Sequence, residues 1–152
     1  MYNVNEMFIY GILSTIIFLT LLPFYYIVRV IQKKYLYGWR EKLGFLKSPD
    51  LGEKVIMLRG FPVGEIIALE NLTKKTKETF PDYKIVITTG TKTGQDLAHK
   101  KYAGIADFIT YFPFDIPFAV NSFLNKVRPS VVLIAETELW PNFAKRKIFR
   151  CL

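Results

Sequence analysis

Short apolar runs alternate with helix-length amphipathic segments over residues 53–152. The apolar runs have strand length and predict β-strands at Val55–Leu58, Lys84–Thr88, Phe108–Tyr111 and Val131–Ala135. The segments between them have apolar residues at helical spacing and predict helices at Glu65–Phe80, Gln95–Tyr102 and Ile116–Val127. Strands that alternate with helices form parallel sheets with helices on both faces, so the pattern predicts an open α/β fold of Rossmann type.

The amino-terminal segment is hydrophobic without interruption. Residues Met7–Val28 contain no charged side chain and are long enough to cross a hydrocarbon layer about 30 Å thick. A secretory signal peptide would have a basic start and a small-residue cleavage site, and neither is clear here, so a retained transmembrane anchor is favoured. Basic residues follow this run, which by the positive-inside rule places the rest of the chain in the cytoplasm. They are Arg29, Lys33, Lys34, Arg40 and Lys42.

These patterns divide the chain into three parts. We expect an anchor over residues 1–30, a juxtamembrane basic segment over 31–52 and a Rossmann-like domain over 53–152. Within the second part, Lys34–Gly44 is typical of a short basic-aromatic helix at a membrane interface. The basic cluster either sets the membrane topology alone or also holds the domain against anionic headgroups.

Composition excludes several classes of chemistry. The formal net charge is +8, but no nucleic-acid-binding motif accompanies it, so we expect no nucleic-acid partner. Cys151 is the single cysteine and His99 the single histidine. This leaves no disulfide framework, no zinc-ligand spacing and little support for Ser-His-Asp or Cys-His catalysis, and we expect no metal.

Acidic residues follow two of the predicted strands. Glu65 comes shortly after the first strand, next to Gly64, which we expect to allow a tight turn. Glu136 and Glu138 follow the fourth strand, directly before Trp140-Pro141. Ligands of α/β folds bind beyond the carboxyl ends of the strands, where a carboxylate can act as a general base. Each glutamate can equally be a first-turn helix acid, and Trp140-Pro141 a packed ring before a helix-starting proline.

Two further loops follow the second and third strands. The loop Thr88–Gly94 is rich in hydroxyl groups and opens a helix, so it is a plausible anion cradle, although a turn with a threonine cap explains it equally well. It matches neither the Walker A nor the GxGxxG pattern. Its candidate ligand contacts are Thr88, Thr89, Thr91, Thr93 and Gly94. In the other loop, Asp115 is expected to cap the following helix, with Pro117 in the first turn.

In this order, the segments resemble the amino-terminal half of the 3-deoxy-D-manno-octulosonic acid (Kdo) transferases. These are membrane-anchored glycosyltransferases of lipopolysaccharide synthesis in Gram-negative bacteria. The resemblance reaches from the anchor to about Asn142. Besides the anchor, it is carried by Trp39–Gly44, Val63-Gly64-Glu65, Thr88-Thr89 to Thr93-Gly94, Pro113–Pro117, Phe123–Pro129 and Glu136–Asn142. The Glu136–Asn142 string, at its distance from Val63-Gly64-Glu65, is the highly specific part.

The resemblance implies a GT-B fold, in which two Rossmann-like domains face each other across a cleft. The amino-terminal domain takes a lipid A precursor as acceptor, and the second domain takes the donor CMP-Kdo. By this resemblance Glu65 is the base that deprotonates the acceptor hydroxyl, and Glu136 stabilises the transition state. Gly64 and the threonine loop contribute to the acceptor site, at the inner membrane and without a metal or other cofactor.

The chain departs from the family pattern in two respects. The family usually has histidine and serine where this chain has Arg59 and Pro62. After Asn142 only a short segment follows, so we expect a truncated acceptor domain without a donor domain, inactive alone. Three interpretations stay open: a Kdo transferase acceptor domain that is either a fragment or complemented by a separately encoded donor-binding domain, a non-catalytic membrane-anchored lipid A-binding module, and a decayed remnant.

Overall fold

A computed structural model of the chain describes residues 4–31, 37–47, 50–61, 63–135 and 140–145. The strands are β1 (Val55–Arg59), β2 (Lys84–Thr89), β3 (Phe108–Tyr111) and β4 (Val131–Ile134). The helices are α1 (Val4–Ile31), α2 (Trp39–Lys42), α3 (Val63–Thr79), α4 (Lys92–Lys101), α5 (Pro117–Val127) and α6 (Pro141–Ala144). The predicted strands and the helices between them are therefore confirmed, with small differences at their ends.

The four strands form one parallel sheet in the order β3-β2-β1-β4. This confirms the predicted α/β fold. Helices α3 and α4 pack on one face of the sheet and α5 on the other, so apolar side chains from both faces of the central strands β1 and β2 are buried. In β1, Val55 and Met57 point to the α5 side, whereas Ile56 and Leu58 point to the α3 side.

Helix α1 has the length and composition of a membrane span. Its window Phe8–Tyr25 has 18 residues and a mean hydropathy of 1.9, and no other helix of the described residues meets that description. α1 lies along the domain: the Tyr10 hydroxyl donates to Asp115 at 3.2 Å, and the Phe18 and Tyr25 rings stack on Trp39. The predicted long apolar helix is thus present. Its orientation in a membrane stays an expectation.

The segment after α1 is hydrogen-bonded to the edge strand β3 of the sheet. Glu41 of α2 accepts hydrogen bonds from the Thr110 hydroxyl at 2.8 Å and the Tyr111 N–H at 3.0 Å. These groups lie on β3, the edge strand, whose unpaired backbone groups need such partners. In the range where a helix was predicted, Lys34–Gly44, the structure places a helix at Trp39–Lys42, and residues 34–36 lie outside the described part.

Asp107 connects α3 to the start of β2 and gives the fold an acid-sensitive contact. Partial burial alone would raise the pKa of Asp107, but the Ile85 N–H and the ammonium groups of Lys84 and Lys77 outweigh it, and the pKa is lowered. The folded-state pKa therefore lies below the unfolded-state pKa of about 3.9. The resulting stabilisation is complete above that value and is lost as pH falls through the folded-state pKa.

We expect the free energy of unfolding of the wild-type chain to fall more steeply below about pH 4 than that of Asp107→Asn, which has no carboxyl to protonate. Urea unfolding in mild detergent, followed by circular dichroism between about pH 3 and pH 7, measures this difference. Asp82→Asn is the control, because the Asp82 side chain is 80% exposed and 3.9 Å from Lys54. Parallel pH curves for wild type and Asp107→Asn would contradict the assignment.

Candidate functional site

The strand order creates a crevice at the carboxyl ends of β1 and β4. From β1 the chain moves to one side for β2 and β3, and then crosses to the other side of β1 for β4. Such a topological switch point is where open α/β sheets bind ligands. The Ala135 N–H donates to the Arg59 carbonyl at 3.1 Å, so the two strand ends are held together. The segments that follow these strands contain Glu65 and Glu136.

Glu65 lies in the first turn of α3, at this crevice. Its Oε2 accepts a hydrogen bond at 2.8 Å from the N–H of Phe61, which lies two residues before the helix begins at Val63. The side chain is partly exposed, and among the described residues its Oε1 has no hydrogen-bond partner. Glu65 is therefore a first-turn acid whose carboxylate is held in place with one oxygen available to a ligand.

The prediction that Gly64 allows a tight turn is wrong. Gly64 does not form a tight turn, because it has helical backbone inside α3, and a Cβ placed on it would meet no atom within 4 Å. It is exposed next to Glu65. The missing side chain therefore leaves one approach to the carboxylate open.

A buried cation lies under the crevice. Arg59, the last residue of β1, is only 1% exposed, and its guanidinium carbon is 3.8 Å from the Phe112 ring centroid and 5.1 Å from that of Trp140. Phe61 lies 6.2 Å from Trp140, centroid to centroid. We call Arg59, Phe61, Phe112 and Trp140 the strand-end cluster. A guanidinium between aromatic faces is favourable, and its field acts strongly in this low-dielectric position.

The strand-end cluster was only partly visible in the sequence. The sequence shows Arg59 as a departure from the family pattern and is compatible with Trp140 as a packed ring, but no local pattern indicates that the two side chains meet. The one available signal was a charged residue directly after the buried run Val55–Leu58, since such a charge is rarely buried unless it has a specific environment.

The threonine loop combines a helix cap with surface hydroxyl groups. Thr91 is the N-cap of α4, and its hydroxyl oxygen accepts a hydrogen bond from the Gly94 N–H at 3.1 Å. This confirms the cap interpretation. Thr88 and Thr89 are buried, and the Thr89 hydroxyl donates to Gln95 Oε1. Thr91 is partly exposed and Thr93 is exposed, so these two present hydroxyl groups to solvent.

Asp115 does not cap α5, and that prediction is wrong. The N-cap of α5 is Ile116, without a side-chain hydrogen bond, although Pro117 is in the first turn as predicted. Asp115 instead accepts hydrogen bonds from the Asn142 N–H at 3.1 Å and the Phe143 N–H at 2.9 Å. These are first-turn amides of α6, which a carboxylate satisfies well. Asp115 thus holds the helix that follows Trp140.

We expect Asp115→Ala to lower the free energy of unfolding by about 2 to 4 kcal/mol, because it leaves buried amides without an acceptor. Urea unfolding measures the loss. In a Trp39→Phe background the emission of Trp140 should also shift to the red as α6 loosens. Asp96→Ala is the control, since the Asp96 side chain is 58% exposed and pairs only with Lys92 among the described residues. Equal losses for the two variants would contradict this role.

Other groups near the crevice are poor candidates for a base or a metal site. Burial, together with the nearby Asp96 and Glu41 carboxylates, raises the pKa of Tyr111 to about 12, so its hydroxyl stays neutral at physiological pH. No group of three or more His, Cys, Asp or Glu side chains that could hold a metal ion occurs in the part of the chain that the structure describes. Glu136, Glu138 and Pro62 lie outside that part.

Comparison with known proteins assigns the chain to a family. Residues 37–148 match the family model described as 3-deoxy-D-manno-octulosonic-acid transferase (kdotransferase). The 3-deoxy-D-manno-octulosonic acid transferase of Haemophilus influenzae is 31% identical over 134 residues, 86% of this chain. That of Chlamydia muridarum is 30% identical over 127 residues, 83% of this chain. A bifunctional glycosyltransferase/methyltransferase of Fusobacterium nucleatum is 36% identical over 91 residues, 59% of this chain and 14% of its own length.

The match covers most of this chain but a limited part of the relatives. The aligned region spans 30% of the length of the Haemophilus influenzae and Chlamydia muridarum proteins. The matched residues include the strand ends, the threonine loop and the segment around Glu65. The chain therefore belongs to the Kdo transferase family, glycosyltransferases of lipopolysaccharide biosynthesis, and corresponds to their amino-terminal domain.

Proposed function

We propose that this chain is the acceptor-binding half of a GT-B Kdo transferase, which binds a lipid A precursor and supplies the base for Kdo transfer from CMP-Kdo. The observation that carries this proposal is the placement of Glu65. Its carboxylate is fixed by the Phe61 N–H at the switch point, partly exposed, in a segment that matches the family. A base must be held within hydrogen-bond reach of the proton it removes, and this arrangement meets that need.

In the proposed reaction, a hydroxyl oxygen of the acceptor glucosamine attacks the anomeric carbon of Kdo. The bond from that carbon to the CMP phosphate oxygen breaks, CMP leaves with the bonding electrons, and Glu65 takes the hydroxyl proton. Glu136, on the segment that follows β4, stabilises the transition state in this proposal. Orientation and electrostatic stabilisation provide most of the acceleration in such a displacement.

The acceptor contacts divide into two groups. The exposed Thr93 and partly exposed Thr91 are suited to bind acceptor hydroxyl or phosphate groups directly, next to the amino end of α4. Thr88, Thr89 and Gly94 are buried and keep the loop in place. Gly64 leaves room for the acceptor beside Glu65.

A domain that binds a lipid acceptor is expected to work at a membrane surface. We propose that α1 holds the chain at the inner membrane as a single span, with the domain on the cytoplasmic side. Arg40 is exposed in the juxtamembrane segment, where a positive charge favours an anionic lipid surface. The donor CMP-Kdo would be bound by a second Rossmann-like half, on the same or on a separately encoded polypeptide.

Reconstitution tests this function. The chain is combined with the donor-binding half of the Haemophilus influenzae relative, and Kdo transfer from CMP-Kdo to a lipid A precursor is followed by mass spectrometry. We expect product only when both halves are present. Absence of product together with absence of acceptor binding would overturn the proposal.

A non-catalytic lipid A-binding role is the second candidate. It is favoured by the hydrogen bond between Glu65 and Phe61, which serves the start of α3 without any chemistry. The same reconstitution separates the two functions, because a binding module retains acceptor affinity and yields no product with any donor-binding half.

A further inference from the structure

Phe61 connects the segment of Glu65 to the threonine loop. It lies between β1 and α3, and its N–H donates to Glu65 Oε2 at 2.8 Å. The backbone before it is fixed as well, because the Gly60 N–H donates to the Thr88 carbonyl of β2 at 3.1 Å. The Phe61 carbonyl oxygen lies 3.5 Å from the position of a Cβ placed on Gly94, in the first turn of α4. The backbone that holds the carboxylate is thus packed against β2 and α4.

The Phe61 ring packs directly on Gly90 of the threonine loop. A Cβ placed on Gly90 would overlap three carbon atoms of this ring, Cδ2, Cε2 and Cζ. The φ of Gly90 lies outside the left-handed range, so its backbone conformation does not require glycine. Gly90 is therefore needed for the space that it leaves, and that space is occupied by the ring.

Within the strand-end cluster, the Phe61 ring contacts Trp140. The two ring centroids are 6.2 Å apart, and Trp140 lies in turn beside the Arg59 guanidinium and 6.1 Å from the Phe112 ring. The Trp140 indole N–H is buried and has no hydrogen-bond partner among the described residues, so ring contacts hold the indole in place. Movement of Phe61 is therefore resisted by the threonine loop and by the rest of the strand-end cluster.

These contacts bear on the position of the Glu65 carboxylate. Among the described residues, the Phe61 N–H is the donor that holds it. This N–H is a backbone group, so its position depends on the ring that anchors residue 61. A base must lie within hydrogen-bond reach of the proton it removes, and a displacement of about 1 Å can lower the rate about 10²-fold.

We propose that Phe61 is a positioning residue: its ring, held by Gly90 and Trp140, fixes the N–H that orients the Glu65 carboxylate toward the acceptor hydroxyl. Gly90 contributes by leaving room for the ring. Phe61 acts through Glu65 and does not touch the reacting atoms. This inference rests on the proposed function, in which Glu65 is the base of Kdo transfer.

Amide exchange tests the positioning without catalysis. The full chain is labelled with ¹⁵N-phenylalanine in mild detergent, and exchange of the Phe61 amide proton is followed by NMR. Glu65→Ala gives the exchange rate of this amide without its acceptor. We expect the Phe61 amide of Gly90→Ala to exchange about tenfold faster than that of wild type, because the added Cβ displaces the ring. Wild-type exchange as fast as that of Glu65→Ala would overturn the proposal.

In the reconstituted enzyme, the same contact predicts that Gly90 and Phe61 are coupled. Gly90→Ala should lower kcat about 10²-fold and change KM less than about threefold. Phe61→Ala removes the ring that the new Cβ would meet, and should itself lower kcat about tenfold. In the Phe61→Ala background, Gly90→Ala should then lower kcat less than about threefold, because the two changes act on one contact.

Gly104→Ala separates positioning from stability. Gly104 lies between α4 and β3, at the end of the sheet opposite to the crevice, and a Cβ on it would meet nothing within 4 Å. Its φ is +79°, so the alanine variant is destabilised by left-handed strain alone. Its kcat and its Phe61 amide exchange should match wild type. Phe61→Ala introduces no clash, so it decides the question even where Gly90→Ala does not fold.

The outcomes separate this inference from the function on which it rests. If Gly90→Ala and Phe61→Ala keep the wild-type kcat, Phe61 has a structural role alone, and the positioning role is rejected while the proposed function stands. If Gly90→Ala lowers kcat equally in both backgrounds, the contact with Phe61 is not the cause and the proposal is overturned. Wild type without product rejects the proposed function. In that case faster amide exchange in Gly90→Ala still supports positioning of the carboxylate, and unchanged exchange overturns it.

Discussion

Replacing Glu65 by glutamine is expected to lower kcat for Kdo transfer in the reconstituted enzyme by about 10²–10⁴-fold, with little change in KM. Glutamine keeps an oxygen that can accept the hydrogen bond from the Phe61 N–H, so the first turn of α3 should stay in place. What is lost is the carboxylate that takes the acceptor proton. The effect should therefore fall on the chemical step and not on acceptor binding.

The control for this variant makes the same chemical change on the same helix. Glu78→Gln alters an exposed residue near the carboxyl end of α3 and should leave both kcat and KM close to wild type. The pH profile adds a second criterion: the loss of rate on the acidic side, which reports the base, should be present in wild type and absent in Glu65→Gln. A variant that raises KM and keeps the wild-type profile would show that Glu65 only binds or positions the acceptor.

The fold was predictable because local patterns determine its elements. Short apolar runs such as Val55–Leu58 indicate buried strands without any tertiary information. Alternation with helices then restricts the sheet to parallel strands. The strand order could not be predicted from the sequence. It depends on the side of β1 to which each crossover returns, and no local sequence pattern indicates that side.

The site was predictable as a location and not as a set of contacts. Glu65 and the threonine loop were found because they follow strands, and the carboxyl ends of parallel strands meet at one edge. Asp115 was assigned to the wrong helix because its sequence neighbour α5 and its actual partner α6 have equal need of an acceptor for their first amides. A residue near the start of one helix can cap another helix, and only the packing of the two helices determines which one it caps.

The same limit applies to α1 and to Arg59. The length and composition of α1 identify it, but its contact with the domain through Tyr10 and Phe18 joins residues far apart in the chain. Charged residues are rarely buried, so the residue type alone predicts that Arg59 is exposed, whereas its exposure is 1%. Its place between Phe112 and Trp140 arises from three separate strand ends and loops that meet at the switch point.

Gly44 lies in the segment that joins α1 to the domain. Gly44 follows α2 with a φ of +85°, a left-handed conformation that ends the helix. Its carbonyl accepts a hydrogen bond from the Ser122 hydroxyl at 2.8 Å, so the backbone of this turn rests directly on α5. A Cβ placed on Gly44 would lie 2.6 Å from the Ala119 carbonyl oxygen and 2.8 Å from the Ser122 Cβ.

Gly44→Ala is therefore expected to lower the free energy of unfolding by about 3 kcal/mol or more, the sum of left-handed strain of about 1 to 2 kcal/mol and a clash with the backbone of α5. Two other glycines allow the left-handed strain to be measured without the clash. Gly52 and Gly104 have φ values of +70° and +79°, and a Cβ on either would meet nothing within 4 Å. Their alanine variants should lose only about 1 to 2 kcal/mol in urea unfolding. Equal losses in the free energy of unfolding at all three positions would mean that only left-handed strain contributes and that the turn does not pack against α5. A larger loss at Gly44 would show that the connection between α1 and the domain depends on this close approach.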